Sequence, residues 1–199
     1  MPTPIVSLSL EGDAELADAL KRRLAPPEAL ADAAARGVSN LVVEHLRARN
    51  ASASHREGFP QSGYWAKAAE ATVAERQGCV ARVVVRAPGI ALHYKGGTVR
   101  PTGGKSLAIP ARAEVAGVWP REWSQASGSG LFLWWPKGRK AGALARREGS
   151  GHLTVLWWLV GATHHKADPT VLPDEAQMKS AAFDAALSAL DAYKAGRGA

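Results

Sequence analysis

Hydrophobic residues recur with two different periods along this chain, and each period predicts a type of element. The alternation over Ile5–Leu10 predicts a short N-terminal strand. Leucines four residues apart then predict a helix that begins near Asp13, and a longer apolar stripe predicts a second helix over 27–49. Gly37 interrupts this second helix, which indicates either a bend or close packing.

The middle of the chain changes to strand-like patterns. A short helix is expected over Tyr64–Glu75, and the β-branched run that follows predicts a hairpin over Cys79–Tyr94, with turn residues at 87–89. Leu131–Trp135 predicts another strand. Leu153–Val160 is apolar on both faces, so it is either a central strand covered on both sides or a strand partly buried by another subunit.

Together these elements predict an α+β fold, in which an antiparallel or mixed β-sheet is flanked by N-terminal and C-terminal helices and joined by long loops. We expect a single domain over 1–199, with a strand and helices in 1–50, a β-rich middle over 78–162 and a helix over 174–195. The last helix has apolar residues near one face: Met178, Phe183, Leu187, Leu190 and Tyr193.

Composition is that of a globular protein, with 46% hydrophobic and 22% charged residues. Cys79 is the only cysteine, which fits folding in a reducing cytoplasm, and its place at the start of an apolar strand predicts a buried structural role. The first residues lack a basic start before an apolar run, and no apolar stretch is long enough to span a membrane, so neither a secretory signal nor a membrane partner is expected.

The formal net charge is +7, which suits either an acidic partner such as nucleic acid or an ordinary solvated basic surface. The densest basic cluster lies in a Gly/Ala-rich stretch over 137–150 that is expected to be a loop. Its members are the nucleic-acid candidates: Lys137, Arg139, Lys140, Arg146 and Arg147.

Motifs for catalysis are missing from the sequence. The GGKS at 103–106 lacks the first glycine of a phosphate-binding loop and precedes a strand-like segment instead of a helix. There is no G-x-S-x-G elbow. His164 and His165, with Asp168 nearby, are better explained as a solvated loop than as zinc ligands, because adjacent side chains on extended backbone point apart. We therefore expect no catalytic residues, metal or cofactor.

The chain contains seven tryptophans, and six of them lie in its second half. Two adjacent pairs, at 134–135 and 157–158, would each place one indole on either face of a strand. One indole of each pair can fill the core. The other is either buried within the monomer or covered by a partner chain, since tryptophan is common at interface hot spots.

Four segments resemble the phage virion-morphogenesis and tail-completion proteins, a family that includes the Mu-type G protein. They are HLRARN (His45–Asn50), EGFPQSGYWAKAAEAT (Glu57–Thr72), LHYKGGTVRPTGGKSLAIPA (Leu92–Ala111) and DPTVLP (Asp168–Pro173). The third is the most specific, because it follows the pattern H-x-x-G-G-T-I/V-x-P … K-x-L-A-I-P.

This resemblance implies a small α+β structural protein of a tailed phage or prophage, without enzymatic activity. Such subunits typically form rings, often of six copies, that complete the tail and join it to the head at the neck. The implied partners are further copies of the chain, other neck and tail proteins, and transiently the DNA in the channel. Assembly in the bacterial host cytoplasm and a final place in the virion follow from the same resemblance.

The segment over 91–110 is then expected to be an assembly arm that adds a strand to a neighbouring subunit, or a hairpin that stays within its own subunit. The candidate oligomer-interface residues are Tyr94, Val99, Arg100, Leu107, Ile109, Trp119, Trp135 and Trp158. The alternative function is a basic nucleic-acid-binding module.

Overall fold

The computed structural model describes residues 6–9, 26–53, 59–127, 130–138, 141–149 and 151–197. The helix expected to begin near Asp13 lies outside these residues. The described elements form an α+β fold, as the sequence predicts. Where the sequence predicts one domain, however, the chain divides into two compact units. The terminal unit comprises Met1–Ala53, Gly63–Gly96 and Lys166–Ala199, and the inserted unit comprises Ser54–Ser62 and Gly97–His165.

The described elements are numbered in chain order. The helices are α1 (Pro27–Ser52), α2 (Tyr64–Glu70), α3 (Ile90–Lys95), α4 (Pro120–Ser127) and α5 (Glu175–Arg197). The strands are β1 (Val6–Ser9), β2 (Thr72–Gln77), β3 (Val80–Val85), β4 (Gly97–Val99), β5 (Leu107–Pro110), β6 (Phe132–Trp134), β7 (Gly142–Arg147), β8 (Leu153–Val160) and β9 (Thr163–His165). Two short 3-10 helices cover Ala113–Val115 and Pro169–Val171.

Two long helices, α1 and α5, pack against each other in the terminal unit. The predicted stripe of α1 is buried at Val38, Val42 and Leu46. Gly37 marks close packing, because a Cβ atom there would lie 2.6 Å from the carbonyl oxygen of Ala181 and 2.6 Å from the Cβ of Ala185. The absence of a side chain at Gly37 therefore sets how closely the two helices approach.

The helix α5 begins at a reciprocal cap. The Asp174 carboxylate accepts a hydrogen bond from the backbone N–H of Gln177 at 2.7 Å, and the Gln177 side chain accepts one from the N–H of Asp174 at 3.1 Å. The predicted apolar face is only partly correct: Met178 is buried, whereas Phe183 and Leu187 are exposed.

The predicted hairpin over Cys79–Tyr94 is wrong in its second strand. Strand β3 instead pairs with β2, and β1 pairs on the other side of β3, so the sheet order is β1-β3-β2. Gly78 makes the β2–β3 turn with a φ of 61°, which glycine adopts without strain. The helix expected over Tyr64–Glu75 consequently ends at Glu70. After Gly89, the chain forms α3 where the sequence predicts a returning strand.

The inserted unit is built on a four-stranded antiparallel sheet with the order β5-β8-β7-β6. Strand β8 is central, as its two apolar faces predict. The basic stretch over 137–150, expected to be a loop, contains strand β7, which pairs with β8 throughout its length. A register shift after Leu144 marks a bulge in this pair.

The segment over 91–110 is neither an extended arm nor a hairpin within the chain. Its first residues belong to α3. Strand β4 pairs with β9, and β5 pairs with β8, so both strands of the segment find partners elsewhere in the same chain and not in each other. The hairpin prediction failed because these partners lie about fifty to seventy residues further along, outside any local sequence signal.

Candidate interaction surface

The His93-x-x-Gly-Gly motif has a structural explanation in the terminal unit. The imidazole of His93 lies 5.0 Å, between ring centroids, from both Tyr64 and Trp65. Gly96 and Gly97 follow with φ values of 71° and 149°, a region that residues with a side chain rarely adopt. The motif thus ends α3 and turns the chain into β4, at the boundary where the inserted unit begins.

A polar cluster holds the C-terminal end of α1 to the second 3-10 helix, within the terminal unit. Arg49 forms an ion pair with Asp168 and donates hydrogen bonds to the carbonyl and hydroxyl oxygens of Thr170, both at 3.1 Å. Its guanidinium also lies over the Trp65 ring, 4.7 Å from the centroid. The His45 Nε2 atom lies 2.9 Å from the same Thr170 carbonyl oxygen. The HLRARN and DPTVLP segments therefore meet in the fold.

The hydrogen bond from the Thr170 hydroxyl to Asp168, at 2.5 Å, lowers the pKa of this carboxyl group, and Arg49 lowers it further. Asp168 is therefore charged at neutral pH. The cluster contains a carboxylate, an imidazole and a guanidinium, but the contacts tie these groups to one another and to the backbone. They explain how the chain segments are held. Local sequence signals could not reveal them, because 119 residues separate Arg49 from Asp168.

One face of the inserted sheet carries a compact core. Val115 and Trp157 are almost completely buried there, and Leu156, which the register shift leaves without an opposite residue in β7, belongs to the same buried cluster. Trp123 of α4 packs against Trp157 edge to face, with 5.9 Å between ring centroids. Trp157 is therefore the indole of its pair that fills the core, which both sequence-based alternatives for the second indole allow.

The opposite face of the inserted sheet carries an apolar row across all four strands. Side chains of directly opposite residues share a face. Ile109 lies opposite Trp158, and Trp158 lies opposite Ala143 on its other side. Ala143 in turn lies opposite Trp134. The row combines two predicted interface residues, Ile109 and Trp158, which lie far apart in the sequence but are brought together by β pairing.

Several large apolar side chains are exposed at the rim of the inserted unit. Trp119, immediately before α4, is 71% exposed. Trp135 and Leu133, at the edge strand β6, are 60% and 54% exposed. A Cβ atom at Gly142 would lie 3.2 Å from the Trp135 ring, so this glycine leaves room for the indole at the edge of the sheet. The sequence identifies both indoles as candidates but not Leu133, because only the sheet order places β6 at an edge.

The remaining interface candidates are less exposed or lie elsewhere. Tyr94 belongs to α3 and packs on the core of the terminal unit. Val99 and Leu107 are half-buried in β4 and β5. Arg100, immediately after β4, is exposed.

The described basic candidates are of two kinds, exposed and half-buried. Lys137 and Arg147 are exposed, whereas Arg139 and Lys140 lie outside the described residues. Arg146 is half-buried, with its guanidinium 3.8 Å from a Glu114 carboxylate oxygen, 3.4 Å from one of Glu148 and 5.5 Å from the centroid of the Trp123 ring. Arg146 thus forms intramolecular contacts in place of the free phosphate contact that the sequence suggests.

The expectation of a buried Cys79 is wrong. Cys79 is exposed next to the β2–β3 turn, because only the C-terminal half of strand β3 is buried and even Val80, its first residue, is exposed. Its Sγ atom lies 3.5 Å from a Glu28 carboxylate oxygen, and this hydrogen bond raises the pKa of the thiol. A raised pKa disfavours the thiolate, which is the reactive form.

The histidines do not converge with other ligands in the part of the chain that the structure describes. No group of three or more His, Cys, Asp or Glu residues there is arranged to hold a metal ion. His164 and His165 are neighbours on strand β9, and the Nδ1 atom of His164 lies 2.9 Å from the Thr98 hydroxyl.

Among the described helices, none combines the length and hydrophobicity needed to cross a membrane. No family model, curated protein or solved structure matches the chain.

Proposed function

We propose that this chain is a self-associating structural subunit of a tailed phage or prophage particle, which completes the tail and joins it to the head at the neck. The observation that carries the proposal is the rim of the inserted sheet, where Leu133, Trp135 and Trp119 expose large apolar surfaces. Exposed apolar surface of this kind marks protein interfaces, and tryptophan is enriched at their energetic centres. The resemblance of Leu92–Ala111 to tail-completion proteins is the reason for proposing the phage neck as the assembly in which this contact forms.

The sheet order indicates where such a contact forms. Strand β6 is at an edge, with β7 on one side and, among the described residues, no strand on the other. An edge strand with apolar side chains and no internal proline can accept a strand from another chain. A ring needs such a surface to be complementary to a different surface of the next copy, because a head-to-tail contact closes by rotation.

The test is the concentration dependence of the mass of the purified protein, followed by mass photometry and sedimentation velocity. We expect a discrete oligomer that Trp119→Ala or Leu133→Asp weakens at least tenfold. Truncation of an interface hot spot, a position in which tryptophan is enriched, costs about 2 kcal/mol or more, and Leu133→Asp would bury a charge in the same contact. Phe183→Ala is the matched control, since Phe183 is an exposed aromatic residue of the terminal unit.

A wild-type protein that stays monomeric at high concentration would contradict self-association. Equal weakening by the Phe183 control would contradict the assignment of the contact to the inserted unit. The place of the protein in a virion is tested separately, by mass spectrometry of purified particles from a host that carries the gene.

A further inference from the structure

The two units differ sharply in charge. The inserted unit contains ten Lys and Arg residues against four Asp and Glu residues, a formal charge of +6, whereas the terminal unit contains fifteen against fourteen, a formal charge of +1. Almost all of the net charge of +7 therefore belongs to the inserted unit, which is the smaller of the two.

Exposed cations without an ion pair to a described carboxylate occur in both units, for example Arg47 and Lys67 in the terminal unit. Only in the inserted unit, however, do the cations outnumber the carboxylates by more than two to one. In the terminal unit, carboxylates pair with neighbouring cations, as in Arg36–Asp32 and Lys179–Glu175. In the inserted unit, Glu114 and Glu148 both face Arg146. Six further cations are exposed and form no ion pair with any described carboxylate, although Arg112 lies near enough to Glu148 to contribute to its lowered pKa: Arg100, Lys105, Arg112, Arg121, Lys137 and Arg147.

These six cations lie at the ends of different elements. Arg100 follows β4, Lys137 follows β6 and Arg147 ends β7. Arg121 lies in the first turn of α4. A small anion would need several donors that converge on one point, whereas cations dispersed over a surface suit a ligand with many regularly spaced negative charges.

We infer that the inserted unit binds double-stranded DNA through its phosphates, without reading the bases. Phosphate contacts by Lys and Arg give affinity and position but carry no sequence information. The choice of duplex over single-stranded DNA rests on the proposed function. Proteins bind single strands by stacking bases on aromatic side chains, whereas the proposed function covers the exposed indoles Trp119 and Trp135 with another protein chain.

The test is the binding of a fluorescently labelled DNA duplex, measured by anisotropy as a function of salt concentration. We expect affinity to fall steeply with salt, with a slope of about 0.9 in log Kd per log salt for each phosphate contacted. The variant Arg100→Gln/Lys105→Gln/Arg121→Gln/Lys137→Gln should bind at least tenfold more weakly and reduce this slope by about one for each residue that contacts phosphate.

The matched control carries the same four charge changes in the terminal unit: Arg47→Gln, Lys67→Gln, Arg82→Gln and Lys95→Gln. It should retain most of the affinity and of the salt slope. Equal losses in both variants would overturn the inference, because net charge alone would then explain the attraction. Failure of the wild-type protein to bind the duplex near physiological salt would overturn it as well.

A labelled single strand with the same number of phosphates tests whether the inserted unit prefers duplex DNA to single-stranded DNA. Tighter binding of the single strand, abolished by Trp119→Ala or Trp135→Ala, would overturn the assignment to duplex DNA. Self-association is measured on the same samples by mass photometry, so a protein that assembles without binding DNA, or binds DNA as a monomer, identifies which of the two proposals has failed.

Discussion

The contact between α1 and α5 at Gly37 allows a sharp test of the fold. Gly37→Ala adds a single methyl group in the middle of a 26-residue helix. Elsewhere in a helix this change would stabilise the protein by about 1 kcal/mol, because alanine has the higher helix propensity. Here the added Cβ atom would lie 2.6 Å from the carbonyl oxygen of Ala181 and 2.6 Å from the Cβ of Ala185.

Both distances are about 1 Å shorter than a normal non-bonded contact. One of the two atoms belongs to the backbone of α5 and cannot rotate away, so the helices must separate. Overpacking of this kind costs about 1 to 3 kcal/mol, and two rigid contacts place Gly37→Ala near the upper end. After the gain in helix propensity is subtracted, we expect a net loss of about 1 to 2 kcal/mol in the free energy of unfolding.

Urea denaturation followed by far-ultraviolet circular dichroism measures this loss. Gly196→Ala is the matched control, because Gly196 lies in α5 and a Cβ atom added there would have no other atom within 4 Å. The control should be neutral or slightly stabilising. If Gly37→Ala proves as stable as the wild type or more stable, the close approach of α1 and α5 at this point is refuted.

Three further predictions concern other parts of the fold. Trp157→Ala should destabilise the protein by about 3 to 5 kcal/mol, because Trp157 is the largest fully buried side chain among the described residues, and the shift of the denaturation midpoint of the variant measures this. The pKa of Asp168 is lowered in the folded state, chiefly by the hydroxyl of Thr170, so its contribution to stability is present above the unfolded pKa of about 3.9 and is lost as the pH falls through the lower folded value. Melting temperatures measured between neutral and strongly acidic pH should therefore fall less steeply at the acidic end for Asp168→Asn than for the wild type. Gly142→Val should displace the indole of Trp135, which would be seen as a shift of its N–H resonance by nuclear magnetic resonance, whereas Gly161→Val, where no atom lies within 4 Å, should leave that resonance in place.

The long periodic elements could be predicted from the sequence. The helices α1 and α5 and the central strand β8 carry strong patterns over eight or more residues, and their types were correct. Burial of the stripe on α1 follows from the same periodicity. In α5, the sequence could not distinguish a buried Leu190 from an exposed Leu187, because both lie near one helical face and only the position of α1 decides between them.

The errors arose where local chemistry fits two structures. The turn residues Ala87-Pro88-Gly89 suit a hairpin, but they also precede a helix, and the short run after them became α3. Strand β2 carries polar residues because it is an edge strand, so its pattern resembled the end of the preceding helix. Local propensity decides neither the end of α2 nor the structure after Gly89. Both depend on β3, which pairs with β2 and not with the run after Gly89.

The candidate surface was predictable residue by residue but not as an arrangement. Exposed tryptophans and basic residues were identified from their types alone. The alignment of Ile109 with Trp158, and the pairing of Arg146 with Glu114, depend on strand register and on contacts between distant segments. For the same reason, the concentration of charge in the inserted unit becomes visible only when the boundary between the two units is known.

Electron microscopy of the purified protein, combined with its mass in solution, tests the proposed ring-forming function. We expect closed rings of one defined stoichiometry, which Trp119→Ala or Leu133→Asp disrupts while the fold is retained. A wild-type protein that remains a monomer at high concentration, and shows no rings, would contradict the proposal that this chain is a self-associating subunit of the neck.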